Sequence, residues 1–482
     1  MAYKHGVYTS ETPTSIIPAA NTNAGLPVVF GTAPVHLAAA RAEANKPILC
    51  YSYKEAVEAF GYCEDWENYT LCEAIYSQFS LYAVAPIVFV NVLDPAKHKA
   101  AVANSEVQFN SEKVALVTDP VLVETLKVKK AEAGQPLAEG VDYESAFDDD
   151  GNLVITALPN GELSTSTSVF LDYDKVDPSA VDKDDIIGGV DINTGAYTGL
   201  ETLGKVFALY RLVPGMVVAP GWSHDPEVAA VMTAKASTIN GLFKASVLVD
   251  IPTETVKKYT DVPAWKNNNN YVGVDQIVCW PLARLGDKTY HMSTVAMGRI
   301  GALDVANDDI PYESPSNKVI QVNGLCLADG TEVVLDLEQA NYLNGQGIVT
   351  ALNFSGGWKL WGNRTGCYPA NTDPKDSFIC VRRMFNWHAQ TFILTYWEKV
   401  DNPMKKRLID LVVDSENIRL NGFVSRGFLL GGRVEYLREE NPVTDQMDGI
   451  VRFHTYFTPP VPARDIENTI EFDTNYFESL FG

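Results

Sequence analysis

Leu26-Pro27-Val28-Val29-Phe30-Gly31 and Pro86-Ile87-Val88-Phe89-Val90-Asn91-Val92-Leu93 are short, nearly continuous apolar runs, rich in β-branched and aromatic residues. A strand facing water on one side alternates polar and apolar residues; a run apolar on both faces fits a strand covered on both sides. Residues 47–51 form a further strand candidate, and helical periodicity occupies 54–60 and 70–82. Buried strands separated by helices predict an α/β domain built on a mainly parallel sheet.

That rhythm breaks near residue 106 and returns near 191. Between them, turn signals such as Asp148-Asp149-Asp150-Gly151-Asn152 and Pro159-Asn160-Gly161 separate alternating runs at 153–158 and 168–172. This reads as a small β domain inserted into the α/β host. It holds 18 Asp and Glu against 6 Lys, with no Arg, Cys, Trp or His, so it faces solvent. The α/β pattern resumes with a helix at 199–212, strands at 216–220, 243–251 and 276–285, a helix at 293–307 and a loop at 308–317. Asp225 caps a helix that has Pro226 at its first position.

From about 363 the character changes to α+β. Asp376 or Ser377 caps a long helix reaching Trp397, and Asn402-Pro403 starts a second that runs to about Leu420. Gly431-Gly432 ends the helical region. Residues 433–437 and 449–457 pair as antiparallel strands, a sheet too small to stand alone. The expected fold is therefore a multi-domain α/β protein. An N-terminal arm (1–25) precedes a core in two parts (26–105 and 191–362). The acidic β insertion is 106–190, the α+β domain 363–460 and the C-terminal arm 461–482.

The C-terminal arm poses a physical problem. Thr469-Ile470-Glu471-Phe472-Asp473-Thr474 alternates apolar and acidic residues, as a half-buried strand does, and Pro459-Pro460-Val461-Pro462 sets it off from the body. A lone strand exposes an apolar face and unpaired backbone; joining another molecule's sheet satisfies both.

Bulk properties narrow the function. An apolar fraction of 46% in 482 residues supports a substantial core. No apolar run approaches ~20 residues, which argues against a membrane span or direct membrane insertion. The N-terminus lacks the layout of a signal peptide. Seven cysteines without Cys-x-x-Cys spacing read as buried, reduced thiols. A formal charge of −23 opposes nucleic-acid binding and makes copies repel at long range, so self-assembly needs close contacts and gains from salt.

Ser223-His224-Asp225 is the most enzyme-like cluster, and a hydrolase using Ser223 and His224 is the alternative reading. Adjacent side chains rarely make the mutual hydrogen bonds of a triad, and Asp225 has a simpler task as a cap. Phosphate-binding and dinucleotide glycine motifs are missing. The histidines are scattered without ligand spacing, so neither cofactor nor metal is expected. Residues 148–152 read as a polar hairpin turn and Asn267–Asn270 as an exposed loop. Arg382-Arg383-Met384-Phe385-Asn386-Trp387 reads as packing with salt bridges at an interface. A monomeric binding module that recognises partners through its insertion is a third possibility.

Three stretches carry a family resemblance. They are Trp361-Gly362-Asn363-Arg364-Thr365 after Leu343-Asn344-Gly345-Gln346-Gly347-Ile348; Ala302-Leu303-Asp304 with Pro311-Tyr312-Glu313-Ser314-Pro315-Ser316-Asn317; and His5-Gly6-Val7-Tyr8-Thr9-Ser10-Glu11 leading into Gly25-Leu26-Pro27-Val28-Val29-Phe30-Gly31-Thr32-Ala33. Together they resemble the sheath protein of contractile phage tails and related injection machines. The resemblance covers most of the chain outside 106–190. It implies a non-enzymatic subunit with a core of subtilisin-like topology. Such subunits stack as six-fold rings in a helical sleeve around an inner tail tube, bounded by baseplate and tail terminator proteins. Contraction drives the tube through a cell envelope. The particle that the resemblance implies is a virion or tail-like particle assembled in the host cytoplasm.

The resemblance also implies strand exchange between copies. The donors would be Val7, Tyr8, Thr9 and Ser10 and also Thr469, Ile470, Glu471, Phe472 and Asp473. The acceptor would be Arg433, Val434, Glu435 and Tyr436 with Val451, Arg452 and Phe453. Glu471 and Asp473 are expected near Arg433 or Arg452 of a neighbour.

Overall fold

The computed structural model describes residues 24–148 and 150–476. Its main sheet has nine strands, in the order Lys318–Val319, Trp358–Trp361, Ile348–Asn353, Gln276–Cys279, Ser246–Asp250, Met216–Val218, Pro27–Gly31, Ile87–Asn91 and Ile48–Cys50. The pairings from Ile348–Asn353 to Ile87–Asn91 are all parallel, and the outer strands on each side run antiparallel. Every residue of Pro27–Gly31, Ile87–Asn91, Met216–Val218, Ser246–Asp250 and Gln276–Cys279 is buried, which is why their centres read as apolar runs, with polar residues only at some ends.

The helices Thr70–Tyr76, Pro226–Ala236 and Met292–Ala306 pack on this sheet. Thr70–Tyr76 comes so close that a Cβ on Gly31 would lie 2.3 Å from Thr70 Oγ1. Asp225 caps Pro226–Ala236 as expected: its side chain accepts from the amides of Glu227 and Val228. The strand expected over 276–285 is two strands. Pro281 has no amide hydrogen for a ladder, and after it Leu282–Leu285 turns into an antiparallel sheet with Lys288–Tyr290 and Gly324–Cys326. Asn267 and Asn268, expected in an exposed loop, end the helix Val262–Asn268.

The acidic region forms two three-stranded antiparallel sheets. One orders Lys99–Gln108, Ser168–Val176 and Lys127–Lys129; the other orders Val114–Val117, Leu153–Ala157 and Tyr143–Phe147. They share an apolar cluster including Val128, Leu153, Ile155, Val169 and Leu171. Asp148 organises the polar hairpin turn by accepting from the amides of Asp150 and Asn152. The first of these strands starts at Lys99, ahead of the onset expected at 106. At the other end Val176, Val181 and Ile186 already belong to the main core, well before 190. Residues 99–105 are dominated by alanine and small polar side chains, which carry little strand signal.

In the C-terminal region the helix Ile379–Tyr396 has Phe378 at its N-cap, not Asp376 or Ser377. Those two are engaged elsewhere: Asp376 meets Arg382, and the Ser377 hydroxyl accepts from Arg364. The next helix is Lys406–Ser425, so it starts after Asn402-Pro403 and outlasts Leu420. Asp401, with φ of 62°, belongs to the turn before it. Gly431 and Gly432 open a strand, Gly431–Glu435, which pairs antiparallel with His454–Thr458. A short helix, Val443–Met447, lies between the two strands. Among the described residues no helix is long and apolar enough to cross a membrane, and no cluster of three or more His, Cys, Asp or Glu side chains is arranged to hold a metal ion.

Candidate assembly surface

Two of the stretches that carry the resemblance, 343–348 with 361–365 and 302–304 with 311–317, meet at one junction. Trp361 Nε1 donates to Asn341 Oδ1 at 2.9 Å, the Gly362 amide to Ser316 Oγ at 3.1 Å, and the Asn363 amide to Asn344 Oδ1 at 3.1 Å. Gly362 has φ of 151°, and a Cβ there would lie 2.8 Å from Val349 Cα. Arg364 lies over the rings of Phe378 and Tyr368, 3.7 and 4.3 Å from their centroids, and donates to Ser377 Oγ at 2.8 Å. The Thr365 amide donates to the Ser377 carbonyl, and its hydroxyl to the Asp376 carbonyl. This motif fastens the edge of the main sheet to the start of the C-terminal helices.

A buried ion pair completes the junction. Arg383 Nη1 donates to Asp304 Oδ1 at 3.0 Å, and Nη2 bonds both Asp304 Oδ2 and the carbonyl of Ala24. The chain just before Gly25 is thus held by the C-terminal helix and the core helix together. Arg382 and Arg383 therefore make their ion pairs within the chain, to Asp275, Asp376 and Asp304. Beside the junction a cleft of about 440 Å³ is lined by Asn363 and Arg364 on one side and by residues 462–465 on the other.

The two-stranded sheet has one covered edge and one open edge. The Val434 amide donates to Asn417 Oδ1 at 2.9 Å, and Asn417 Nδ2 returns a bond to the Val434 carbonyl at 3.0 Å. Val434 therefore turns its backbone to the helix Lys406–Ser425. Bonded and non-bonded pairs alternate along an antiparallel ladder, so Arg433 and Glu435 exchange bonds with Tyr456 and His454. Thr455 and Phe457 then direct their amides and carbonyls to the opposite edge, where no third strand pairs with them among the described residues.

Of the acceptor residues expected from sequence, Arg433, Val434 and Glu435 lie in a strand, whereas Tyr436 lies just past its end. Val451, Arg452 and Phe453 precede the second strand rather than forming it, because the amide and carbonyl of Arg452 are taken by the side chain of Asn441. Both arginines expected to meet a neighbour's acids already have partners: Arg433 with Glu435 and Arg452 with Asp445. Thr469, Ile470, Glu471, Phe472 and Asp473 form no strand in the single chain, and Ile470 and Phe472 are 88% and 74% exposed. Val7, Tyr8, Thr9 and Ser10 lie outside the described residues.

At the carboxyl ends of the parallel strands lies a polar cluster that pattern reading missed. The Asp250 amide donates to Ser223 Oγ at 3.1 Å, and Ser293 donates its amide to Asp250 Oδ1 at 2.9 Å and its hydroxyl to Oδ2 at 2.5 Å. Burial pushes the Asp250 carboxyl above the usual carboxylate range, against the pull of His291 and Ser293. His291 pairs with Glu73 at 2.7 Å. Burial draws the imidazole down, but the charge and hydrogen bond of Glu73, with the charges of Asp250 and Glu254, raise His291 to about 9. These residues are far apart in sequence, so no local motif marks them. Ser223 is bonded to Asp250 rather than to His224. The Ser223 hydroxyl is thus engaged by Asp250 and does not make the contact to His224 that the hydrolase alternative needs.

No family model matches the chain. It is 26% identical over 491 residues to the tail sheath protein of Burkholderia phage BcepMu, covering 100% of this chain and 99% of that one. It is 24% identical over 290 residues to a major tail sheath protein of a Pseudomonas aeruginosa prophage, covering 59% of this chain and 72% of the relative. Among solved structures, it matches the contracted sheath complex of an extracellular contractile injection system with a TM-score of 0.58 at 14% identity, over 99% of both chains. It matches a chain of the contracted anti-feeding prophage baseplate with a TM-score of 0.59 at 13% identity, over 96% of this chain and 98% of that one. These structural likenesses establish a shared mixed α/β fold with several sheets.

Proposed function

We infer that this chain, related along its whole length to a phage tail sheath protein, is the sheath subunit of a contractile tail or tail-like injection particle. The observation that carries the reading is that end-to-end relationship, 100% of one chain against 99% of the other. A structural role follows for the subunit, in place of the hydrolase alternative.

The finer reading is a helical sleeve of six-fold rings around an inner tail tube, ending at baseplate and terminator proteins. Contraction then drives the tube through a bacterial envelope. The location is a virion tail or tail-like particle, assembled in the host cytoplasm. The core has subtilisin-like topology, with the acidic sheets as an insertion and the C-terminal helices and hairpin as a separate domain. The separate apolar clusters of these regions support that division.

Copies are joined by strand exchange. Thr469, Ile470, Glu471, Phe472 and Asp473 add to the open edge of His454–Thr458 in another copy, and Val7, Tyr8, Thr9 and Ser10 supply a second donor. Backbone pairing needs little side-chain detail, so these links persist while contacts between bodies break and re-form. Burying the Ile470 and Phe472 side chains stabilises such a link by roughly 1.5–3 kcal/mol each. Two packings separated by a few kcal/mol per subunit, multiplied along a tube, are what a contractile device requires.

The purified protein tests this directly. At raised salt, which screens the charge of −23, it leaves the monomer position in size-exclusion chromatography and forms tubes. A protein that stays monomeric at every salt concentration contradicts the reading.

A further inference from the structure

Between the helices Ile379–Tyr396 and Lys406–Ser425 runs a groove of about 490 Å³ that ends at the chain leading into His454–Thr458. Phe392, Met404, Leu408, Val412, Val451 and Phe453 line it. Met404 and Val400 are 38% and 62% exposed, so the groove is open to solvent. Lys399 and Asp401 stand in its wall, and Lys405 and Lys406 follow next to it at the start of the second helix, three lysines against one acid; none of the three lysines makes an ion pair among the described residues. An apolar floor with a basic rim fits an acidic peptide that carries aromatic side chains.

The C-terminal arm is such a segment: Ile470-Glu471-Phe472-Asp473-Thr474-Asn475-Tyr476-Phe477-Glu478-Ser479-Leu480-Phe481 has three acids and no basic residue. We propose that the groove is the docking site for residues 475–481 of a second copy, downstream of its donated strand. This deepens the strand-exchange reading above and rests on it. A donor running antiparallel to His454–Thr458 places its following residues beside those that precede His454, namely Val451 and Phe453 in the groove wall. Five paired residues span ~17 Å, so Tyr476 to Phe481 arrive at the groove without a further turn. The same chain's own tail takes another course as it leaves the body, because residues 462–465 line the cleft beside Arg364. The acids Asp473 and Glu478 then approach Lys399, Lys405 and Lys406 of the receiving copy. The apolar residues Val451 and Phe453 thereby acquire a role as socket rather than strand.

The test uses the full chain with Phe477→p-benzoylphenylalanine, irradiated in assembled tubes and mapped by mass spectrometry. It is paired with a deletion of 475–482 and with the double variant Val400→Glu/Met404→Glu, whose exposed positions leave the body folded. The expected results are a cross-link between copies to the peptide spanning 392–412 or 449–453, and about a tenfold rise in the protein concentration needed for tubes in both variants. Cross-links only elsewhere, or variants that assemble at the parent's concentration, overturn the docking site. If they do so while deletion of 463–482 still abolishes tubes, strand exchange stands without the groove. If deletion of 463–482 also leaves assembly unchanged, both readings fall.

Discussion

Arg383 and Asp304 show what a single pair contributes at the junction. Their side chains are 4% and 2% exposed, and Arg383 also holds the carbonyl of Ala24. Arg383→Met leaves a buried carboxylate without its partner and is expected to cost about 3–5 kcal/mol in denaturant unfolding. The double variant Arg383→Met/Asp304→Leu removes both charges and should recover most of that loss; a double variant as weak as the single one contradicts the account. His388 gives a pH test. It lies beneath the hairpin, 4.8 Å from the Phe457 ring, and burial, aided by Arg419, lowers its pKa from 6.5 to about 3. Between those values the unfolded chain binds the proton and the folded one does not. Its contribution is therefore complete above pH 6.5 and is lost as pH falls toward 3. His388→Phe should flatten the acid limb of stability against pH, and an unchanged limb contradicts this. Both partners of the Arg383–Asp304 pair were visible in sequence, but their pairing spans the chain and no spacing rule finds it.

At the scale of elements, Gly362 is a tight backbone approach in the junction motif. Gly362→Ala puts a Cβ 2.8 Å from Val349 Cα at φ of 151°, and a loss of about 1–3 kcal/mol is expected in thermal unfolding. A neutral result shows that the backbone there relaxes freely. The buried strands were legible because burial on both faces writes an unambiguous apolar run, as in Pro27–Gly31 and Ile87–Asn91. Boundaries were less so. Asn441 takes the backbone of Arg452 and so delays the second hairpin strand to His454, a side-chain bond that a strand pattern does not encode. The start of the long helix moved to Ile379 because Asp376 and Ser377 are held by Arg382 and Arg364. The cluster around Asp250 was invisible for the same reason: tertiary contacts, not local spacing, assemble it.

At the scale of the whole molecule, the two small acidic sheets have an apolar cluster of their own. Replacing 99–175 with a short linker should leave folding and tube formation intact; loss of the folded body shows that these sheets belong to the core. In the C-terminal segment Ile470 and Phe472 are 88% and 74% exposed, and pairing with a second copy is the proposed way of burying them. The most direct measurement is negative-stain electron microscopy of the purified full-length protein beside a deletion of 463–482, at matched concentration and salt. The account predicts tubes for the full chain and folded, dispersed subunits for the deletion. Tubes of normal length and number from the deletion contradict it.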